Sequence, residues 1–364
     1  MRSIALFLLF PLAVAAQVTP TLITTLSDTV NETSGLLLIG DALWTHEDSD
    51  CAPRLYQVDR NNGELLRTVE VNAANVDWED ITSDGSYVYI GDVGNNGGNR
   101  TDLRILRFPI AELEDPSVTQ VDVETIDYSY EDQTSFEFAM NNNNWDCEAI
   151  LAHSDSIFVF TKNWMDHRTR LYSMPAVPGV QVARFRGEAD VQGLVTGVAW
   201  EASGSRIALV GYSAAPFVPF VCVLDDFNGT EFLSGSLTRE STTLAFVQVE
   251  AVEWDPLGGI IFSNEQSPFS QQRLWSLPIN VAVDRPDLDD GSYIHPNPAS
   301  DLLHVPIEDQ DAQLSILDAT GREMMHLLGN TGRPIDISAL ATGNYRLILR
   351  SAGAVRNASF VISR

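Results

Sequence analysis

Short apolar stretches alternate with polar turns along residues 18–279, and these stretches recur in a fixed order. Each copy begins with a hydroxyl or carboxylate residue and continues through two short apolar strands separated by a polar turn. The clearest copy runs from Asp77 to Asp92 and carries Glu79 at its start. Looser copies begin at Ser34, Glu148, Thr196 and Glu250. A strand-only pattern that recurs in this way indicates a repeat protein.

The repeat starts are 45, 69, 48 and 54 residues apart, which suits four short strands in each unit. Units of this length built only from strands are typical of propeller blades. We therefore predict an all-β chain with a five-bladed β-propeller over residues 18–279. A six-bladed propeller is the alternative, because the 69-residue interval before Glu148 is long enough to contain another blade.

Both ends of the predicted propeller are incomplete, and each end supplies what the other lacks. Residues 18–26 resemble a fourth strand with no first three strands before it, and the last unit runs out near Ile279 without a fourth strand. Pairing of the amino-terminal strand with the last unit would close the ring and leave no exposed edge.

The first residues of the chain have the features of an export signal. Residues 1–16 carry one Arg, an apolar run and then small residues, which predicts a secretory signal peptide. The run is shorter than the about 20 apolar residues that a membrane-spanning helix needs, and no other stretch approaches that length. We expect no transmembrane segment.

The pattern changes after Ile279. Residues 280–292 are rich in Pro and Asp and are predicted to be a linker, and residues 293–364 hold short alternating strands that predict a small β-sandwich. This segment also contains Pro296-Asn297-Pro298-Ala299, an Asp-Ala-Thr-Gly-Arg turn at 318–322, Leu-x-x-Gly-x-Tyr at 340–345, and the terminal Phe360-Val361-Ile362.

In these motifs the segment resembles the C-terminal sorting domain of the type IX secretion system of Bacteroidota. The resemblance implies that the type IX machinery is a partner. It also implies a protein that is secreted or held at the cell surface.

The charge of the chain excludes one class of partner. The formal net charge is −28, with 22 basic and 50 acidic residues, so no nucleic-acid binding is expected. The three cysteines, Cys51, Cys147 and Cys222, allow at most one disulfide and match no metal-ligand spacing.

The repeat also places polar residues around one axis. The first strand of every blade lines the central channel, so the repeat starts should face one pocket as a ring: Ser34, Glu79, Glu148, Thr196 and Glu250. The ends of the second strands should lie beside them: His46, Asp92, Lys162, Tyr212 and Asn264. Three converging carboxylates repel one another unless a cation lies among them, and a ring of oxygen ligands alone favours Ca²⁺.

The order Ser, Glu, Glu, Thr, Glu resembles that of the calcium-activated nucleotidases (apyrases), five-bladed propellers whose central calcium is held by Ser, Glu, Glu, Ser and Glu. This chain departs from the family at Thr196, whose hydroxyl can still coordinate. It also has His46-Glu47-Asp48-Ser49-Asp50 where the family has Asp-Asp-Arg-Thr-Gly.

Two classes of function follow. The first, which we favour, is a calcium-binding propeller that recognises an extracellular ligand through its loops and pocket, with these candidate contacts: Asn95, Asn96, Arg100, Trp164, Tyr212 and Asn264. The alternative is a calcium-dependent hydrolase of phosphate esters or nucleotides. In that case Asp92, Glu265 or His46 would transfer protons, and Lys162 or Arg100 would meet an anionic leaving group.

Overall fold

The computed structural model describes residues 17–49, 51–201, 205–256, 258–279, 294–305, 313–318, 323–328, 333–351 and 354–364. The predicted signal peptide and the predicted linker lie outside these residues, as does most of the 318–322 turn. The chain divides into two compact units, residues 1–279 and 280–364. In the described residues, no helix has the length and apolar character needed to cross a membrane.

The first unit is built from strands, as predicted. In chain order they are β1 (Gln17–Val18), β2 (Thr21–Thr25), β3 (Thr33–Ile39), β4 (Ala42–Glu47), β5 (Arg54–Val58), β6 (Leu65–Val71), β7 (Trp78–Ser83), β8 (Tyr87–Asp92), β9 (Arg104–Pro109), β10 (Gln120–Val121), β11 (Glu124–Tyr130), β12 (Cys147–His153), β13 (Ser156–Thr161), β14 (Thr169–Pro175), β15 (Gly179–Ala189), β16 (Leu194–Trp200), β17 (Ile207–Tyr212), β18 (Pro219–Asp225), β19 (Ser236–Thr242), β20 (Val249–Trp254), β21 (Ile260–Asn264) and β22 (Arg273–Leu277). A short helix, α1 (Ala111–Glu114), and the 3₁₀ turns Asp28–Val30 and Phe232–Ser234 complete the unit.

These strands form antiparallel meanders, each with an inner strand at its start. The meanders are β3-β4-β5-β6, β7-β8-β9-β11, β12-β13-β14-β15, β16-β17-β18-β19 and β20-β21-β22-β2. Inner strands β3, β7, β12, β16 and β20 contact one another in that order, and β20 contacts β3 in turn. The architecture is therefore propeller-like, with the inner strands around a common axis.

The sequence predicts one closing strand over residues 18–26, but only β2 completes the last meander, because β1 pairs parallel with β19 of the fourth meander. Strand β2 pairs antiparallel with β22, and the Leu26 backbone N–H donates to the Gln272 carbonyl at 3.1 Å. The Gln272 side chain returns a bond to the Leu26 carbonyl, also at 3.1 Å. The side chain of Leu26 is buried. The chain therefore covers an edge that would otherwise expose unpaired backbone groups.

The long interval before Glu148 contains no additional sheet among the described residues. It is occupied by α1, β10 and the connection 131–146. After α1 the chain forms two separate strands, so the fourth strand of this unit is β11 alone. Strand β10 pairs parallel with β6 of the first meander, and only β11 pairs with β9. A parallel pair between β11 and β15 then joins the outer edges of the second and third meanders.

Buried apolar residues between neighbouring meanders form the core of the unit. One cluster packs Trp44, Trp78 and Phe108 between the first and second meanders. Another packs Phe160 and Phe220 between the third and fourth. Side-chain bonds to backbone groups join adjacent inner strands as well. The Asp80 carboxylate accepts from the Ile150 N–H at 2.9 Å, and the Glu253 carboxylate accepts from the Leu38 N–H at 3.1 Å.

The second unit contains β23 (Leu302–Leu303), β24 (Gln313–Asp318), β25 (Glu323–Leu328), β26 (Ile335–Asp336), β27 (Gly343–Ser351) and β28 (Ala354–Ile362). Strands β23 and β26 pair as one small sheet, and the others form a sheet in the order β25-β24-β27-β28. Leu303 and Ile335 from the small sheet share one core with Leu314, Leu347 and Phe360 from the larger sheet. Two sheets around one core agree with the predicted β-sandwich.

Candidate functional site

A β-bulge lies at the start of every inner strand, where the register with the second strand shifts by one residue. The residue without a partner at each shift is the predicted ring residue: Ser34, Glu79, Glu148, Thr196 and Glu250. A bulge turns a side chain away from the ordinary alternation of a strand, and bulges are frequent beside functional sites. The structure thus gives the five predicted residues equivalent backbone positions.

The two hydroxyls of the predicted ring also tie neighbouring inner strands together. Ser34 Oγ donates to the Glu79 carbonyl at 2.9 Å, and Thr196 Oγ1 donates to the Val249 carbonyl at 2.6 Å. Both residues are buried. Because each hydroxyl uses its proton in this bond, its oxygen lone pairs are still able to accept or coordinate.

The three glutamates of the predicted ring have different surroundings. Glu79 and Glu250 are 3% and 9% exposed, and neither carboxylate forms a hydrogen bond within the described residues. Glu148 is also buried and accepts from the Lys162 ammonium through both carboxylate oxygens. Burial raises the pKa of Glu79 well above its ordinary value, and the charges of Asp48 and Glu148 raise it further.

Lys162 places a positive charge in a buried position beside Glu148. Its ammonium lies 5.0 Å from the Trp164 ring centroid and 5.3 Å from the Tyr212 ring centroid, within the range of cation–π contacts. Burial alone would lower the pKa of Lys162, but the Glu148 carboxylate raises it well above the ordinary value. Lys162 therefore stays protonated and is an ion-pair partner of Glu148.

Two further predicted proton-transfer groups are enclosed by the fold. Asp92 is fully buried and accepts from Arg100 Nη2, Arg104 Nε and the Asp77 N–H at 2.9, 2.9 and 3.1 Å. His46 is also fully buried, and burial lowers its pKa to about 4, so the imidazole is neutral at pH 7. Asp92 in this setting orders the loop that carries Arg100.

Glu265 differs from these groups because it is only partly buried. Burial raises the pKa of Glu265 to about 7, and the charge of Asp48 contributes to the rise. A carboxyl group that titrates near neutral pH is suited to general acid–base chemistry.

The predicted ligand-binding residues fall into two groups. Asn95 and Asn264 are buried: Asn95 Oδ1 accepts from the Arg100 N–H at 2.9 Å, and Asn264 Oδ1, at the end of β21, accepts from Trp275 Nε1 at 2.8 Å. Tyr212 is also buried. Asn96, Arg100 and Trp164 are partly exposed, so they are the members of the set with surface available for a ligand.

The structure brings three further carboxylates close to the ring glutamates, and none of them was predicted: Asp48, Asp77 and Asp146. Asp146 is fully buried and accepts from Trp164 Nε1 at 2.7 Å and from the Asn95 N–H at 2.6 Å. Burial raises the pKa of Asp77 to about 7, with further contributions from Asp48 and Asp146. The sequence contains a signal for two of these residues. Asp77 and Asp146 each precede a ring glutamate by two residues, and side chains two residues apart in a strand point to the same face.

The cysteines take no part in this chemistry. Cys51, Cys147 and Cys222 are all free thiols, so the single disulfide that their number allows is not formed. Burial raises the pKa of the Cys51 thiol to about 12, and its Sγ donates to Glu32 at 3.3 Å. A thiol with that pKa is a poor nucleophile at neutral pH.

Comparison with solved structures gives distant likenesses. PorZ, a surface component of the type IX secretion system of Porphyromonas gingivalis, is 12% identical over 91% of this chain and 45% of that chain, with a TM-score of 0.32. A gluconolactonase from Xanthomonas campestris is 13% identical over 68% and 72%, with a TM-score of 0.35. A streptogramin B lyase is 11% identical over 71% and 97%, with a TM-score of 0.36. This chain spans less than half the length of PorZ.

No curated protein matches the sequence. The resemblance to calcium-activated nucleotidases therefore stays a prediction. The carboxy-terminal segment, in contrast, has a family match: residues 293–363 match the secretion system C-terminal sorting domain. The chain therefore carries a type IX sorting domain at its carboxy terminus, which marks it as a secreted or cell-surface protein.

Proposed function

We propose that residues 18–279 form a five-bladed propeller that binds one Ca²⁺ on its axis and recognises an extracellular ligand through the surrounding loops. The five meanders and the cyclic contacts of their inner strands support the blade count. In this proposal residues 280–292 are the linker and the sorting domain is an export address for the propeller.

The observation that carries the calcium proposal is the set of equivalent bulges. Each inner strand has one bulge at its start, and the bulges hold the predicted ring residues: Ser34, Glu79, Glu148, Thr196 and Glu250. Buried carboxylates without hydrogen bonds are costly unless a cation compensates them. Ca²⁺ accepts 6 to 8 oxygen ligands, which two hydroxyls, three carboxylates and water can supply.

Calcium is therefore expected to stabilise the protein. Saturation at about 100 times the Kd should increase the free energy of unfolding by about 2.7 kcal/mol, because the unfolded chain lacks the ring. We expect the melting temperature to rise with added Ca²⁺ and to fall with a chelator, as measured by differential scanning calorimetry.

Glu148→Gln should reduce that rise, since it removes one of the three ring charges. Glu64→Gln is the matched control: Glu64 is exposed in the turn between β5 and β6, and its replacement should leave the calcium response unchanged. The comparison uses the shift caused by calcium, which is separate from any loss of stability in the apo variant. A wild-type melting temperature that ignores both calcium and chelator would contradict the proposal.

The loops near the pocket supply surface for a ligand. Trp164 and Arg100 are partly exposed, and the connection 131–146 carries exposed Phe138 and Met140. Aromatic and Arg side chains contribute most of the energy in many binding interfaces. This surface favours recognition over turnover.

A calcium-dependent hydrolase is the second candidate, and Glu265 is the observation that favours it. With a pKa of about 7, Glu265 would become a general base as the pH rises through neutrality. Hydrolysis of nucleotides, phosphate esters, aryl esters or glycans would then increase over that pH range and disappear with a chelator. Glu265→Gln should abolish the increase. Absence of turnover on all four substrate classes, with calcium present, would remove this candidate.

A further inference from the structure

Three carboxylates from the first two meanders lie together. Asp48 follows β4, whereas Asp77 and Glu79 lie at the start of the second meander. Each offers an oxygen, and the three oxygens lie within 4.8 Å of one another. Oxygen ligands on opposite sides of one Ca²⁺ are roughly 5 Å apart, so one ion could contact all three.

Within this group, the Glu79 carboxylate has no partner that would balance a negative charge. Its carboxylate is 3% exposed and has no hydrogen-bond donor in the described part of the chain. The basic residue beside Asp77, Arg100, has other partners. Arg100 Nη1 is 4.0 Å from Asp77 Oδ2, but Arg100 donates to Asp92, Asp102 and the Gly94 carbonyl. An enclosed carboxylate of this kind is costly while it is ionised, and a bound cation would offset that cost.

Hydrogen bonds to backbone groups hold the segments that carry Asp48, Asp77 and Glu79 in place. The Asn75 amide nitrogen donates to the Glu47 and Asp48 carbonyls at 3.1 and 2.7 Å, and its oxygen accepts from the Trp78 N–H at 3.1 Å. Asn75 thereby fastens the end of the first meander to the start of the second. The Asp77 carbonyl accepts from the N–H groups of Val93 and Gly94 at 3.1 and 3.2 Å.

Gly94 provides the space in which two of the carboxylates meet. A Cβ atom at this position would lie 2.2 Å from Glu79 Oε1 and 2.4 Å from Asp77 Oδ2. Any other residue would therefore push these oxygens apart or fill the space between them. Glycine here is explained by the close approach of the two carboxylates.

We propose that Asp48, Asp77 and Glu79 form a divalent-cation site at the junction of the first two meanders, beside the axis. The all-oxygen donor set suits a hard cation, and Ca²⁺ best meets the irregular arrangement of three side chains from separate loops. This site shares Glu79 with the proposed axial ring but does not use Glu148 or Glu250. It rests on its own geometry and does not require the ring to bind an ion.

The test is a calcium titration by isothermal calorimetry, paired with Tb³⁺ luminescence excited through tryptophan, on the full chain. Trp78 lies between Asp77 and Glu79 in sequence and is a suitable sensitiser. We expect Asp77→Asn to weaken binding at this site at least tenfold, since it removes a charged ligand. Gly94→Ala should do the same while keeping every ligand.

Two controls separate this site from the ring. Asp41→Asn neutralises an exposed carboxylate in the turn between β3 and β4 and should change nothing. Glu250→Gln alters only the ring, so it should leave the Tb³⁺ signal at the junction intact. Circular dichroism identifies any variant that fails to fold, in which case Asp48→Asn replaces Asp77→Asn.

The results discriminate between the two sites. Loss of binding in Asp77→Asn and Gly94→Ala, with retention in Glu250→Gln, supports the junction site even if the ring proves empty. Full affinity in Asp77→Asn and Gly94→Ala, with loss in Glu250→Gln, would overturn the junction site and leave the ring. One ion per chain with equal losses in Asp77→Asn and Glu250→Gln would also overturn it, because the ion would then lie on the axis. No binding by the wild type would overturn both proposals.

Discussion

Removal of residues 18–26 is expected to lower the free energy of unfolding of the propeller unit by at least about 3 kcal/mol. The deletion takes away β2, which pairs with β22, and it also takes away the buried side chain of Leu26. Burial of a leucine side chain alone is worth about 2 to 5 kcal/mol in leucine-to-alanine substitutions. In a unit of this size the melting temperature should fall by about 6 to 12 °C.

Two point variants show whether packing at the closure causes the loss. Leu26→Ala should reproduce much of the effect, because Leu26 is 3% exposed. Leu22→Ala is the matched control within β2, since Leu22 is 45% exposed, and it should cost less than about 1 kcal/mol. Equal melting temperatures for the deletion variant and the wild type would mean that β2 does not close the ring.

The deleted variant should also associate more readily. An edge strand with exposed N–H and C=O groups is a template for pairing with other chains. In the intact protein β22 lies between β21 and β2, so both of its edges are paired. Size-exclusion chromatography of the deletion variant should therefore show dimers or larger species that Leu26→Ala does not form.

The repeat pattern predicted most of the strands and identified five residues that occupy equivalent backbone positions. Ser34, Glu79, Glu148, Thr196 and Glu250 were identified from their place at the start of an apolar strand, and each is the unpaired residue of a bulge. The bulges themselves could not be predicted, because a bulge adds one residue without changing the apolar pattern on either side.

Contacts between meanders were less accessible to the sequence. Asp48 lies beside Asp77 and Glu79, and Asn75, 27 residues later, donates to its backbone carbonyl. The pairing of β10 with β6 likewise depends on the outer edge of the first meander lying beside the chain after α1. Such contacts depend on the arrangement of neighbouring units, whereas a repeat alignment describes one unit at a time.

The role of Lys162 illustrates the same limit. The sequence placed this residue beside the ring and suggested contact with an anionic leaving group. In the structure its ammonium donates to Glu148 instead, and the residue is 4% exposed. A basic side chain at the end of a second strand can turn either to the pocket or to a carboxylate beside it. The dense negative charge around Glu148 favours the second arrangement.

Lys162→Met is expected to destabilise the propeller unit by about 3 to 5 kcal/mol, which is the usual cost of removing one partner from a buried ion pair. The substitution leaves Glu148 buried beside Asp146 without its cation. Met has similar length and apolar character, so the loss reports the charge more than the packing. Urea denaturation in the presence of a chelator measures the effect without a bound ion.

The double variant Lys162→Met with Glu148→Gln isolates the ion pair from its surroundings. Removal of both charges should recover at least about 1 kcal/mol relative to the sum of the single variants, because neither charge is then left unpaired. Arg186→Met is the exposed control: Arg186 pairs with Glu231 at the surface, where ion pairs contribute less than about 1 kcal/mol. If the effects of Lys162→Met and Glu148→Gln simply add, Lys162 is not the counter-ion of Glu148. The charge of that carboxylate would then have to be compensated by another group in the pocket.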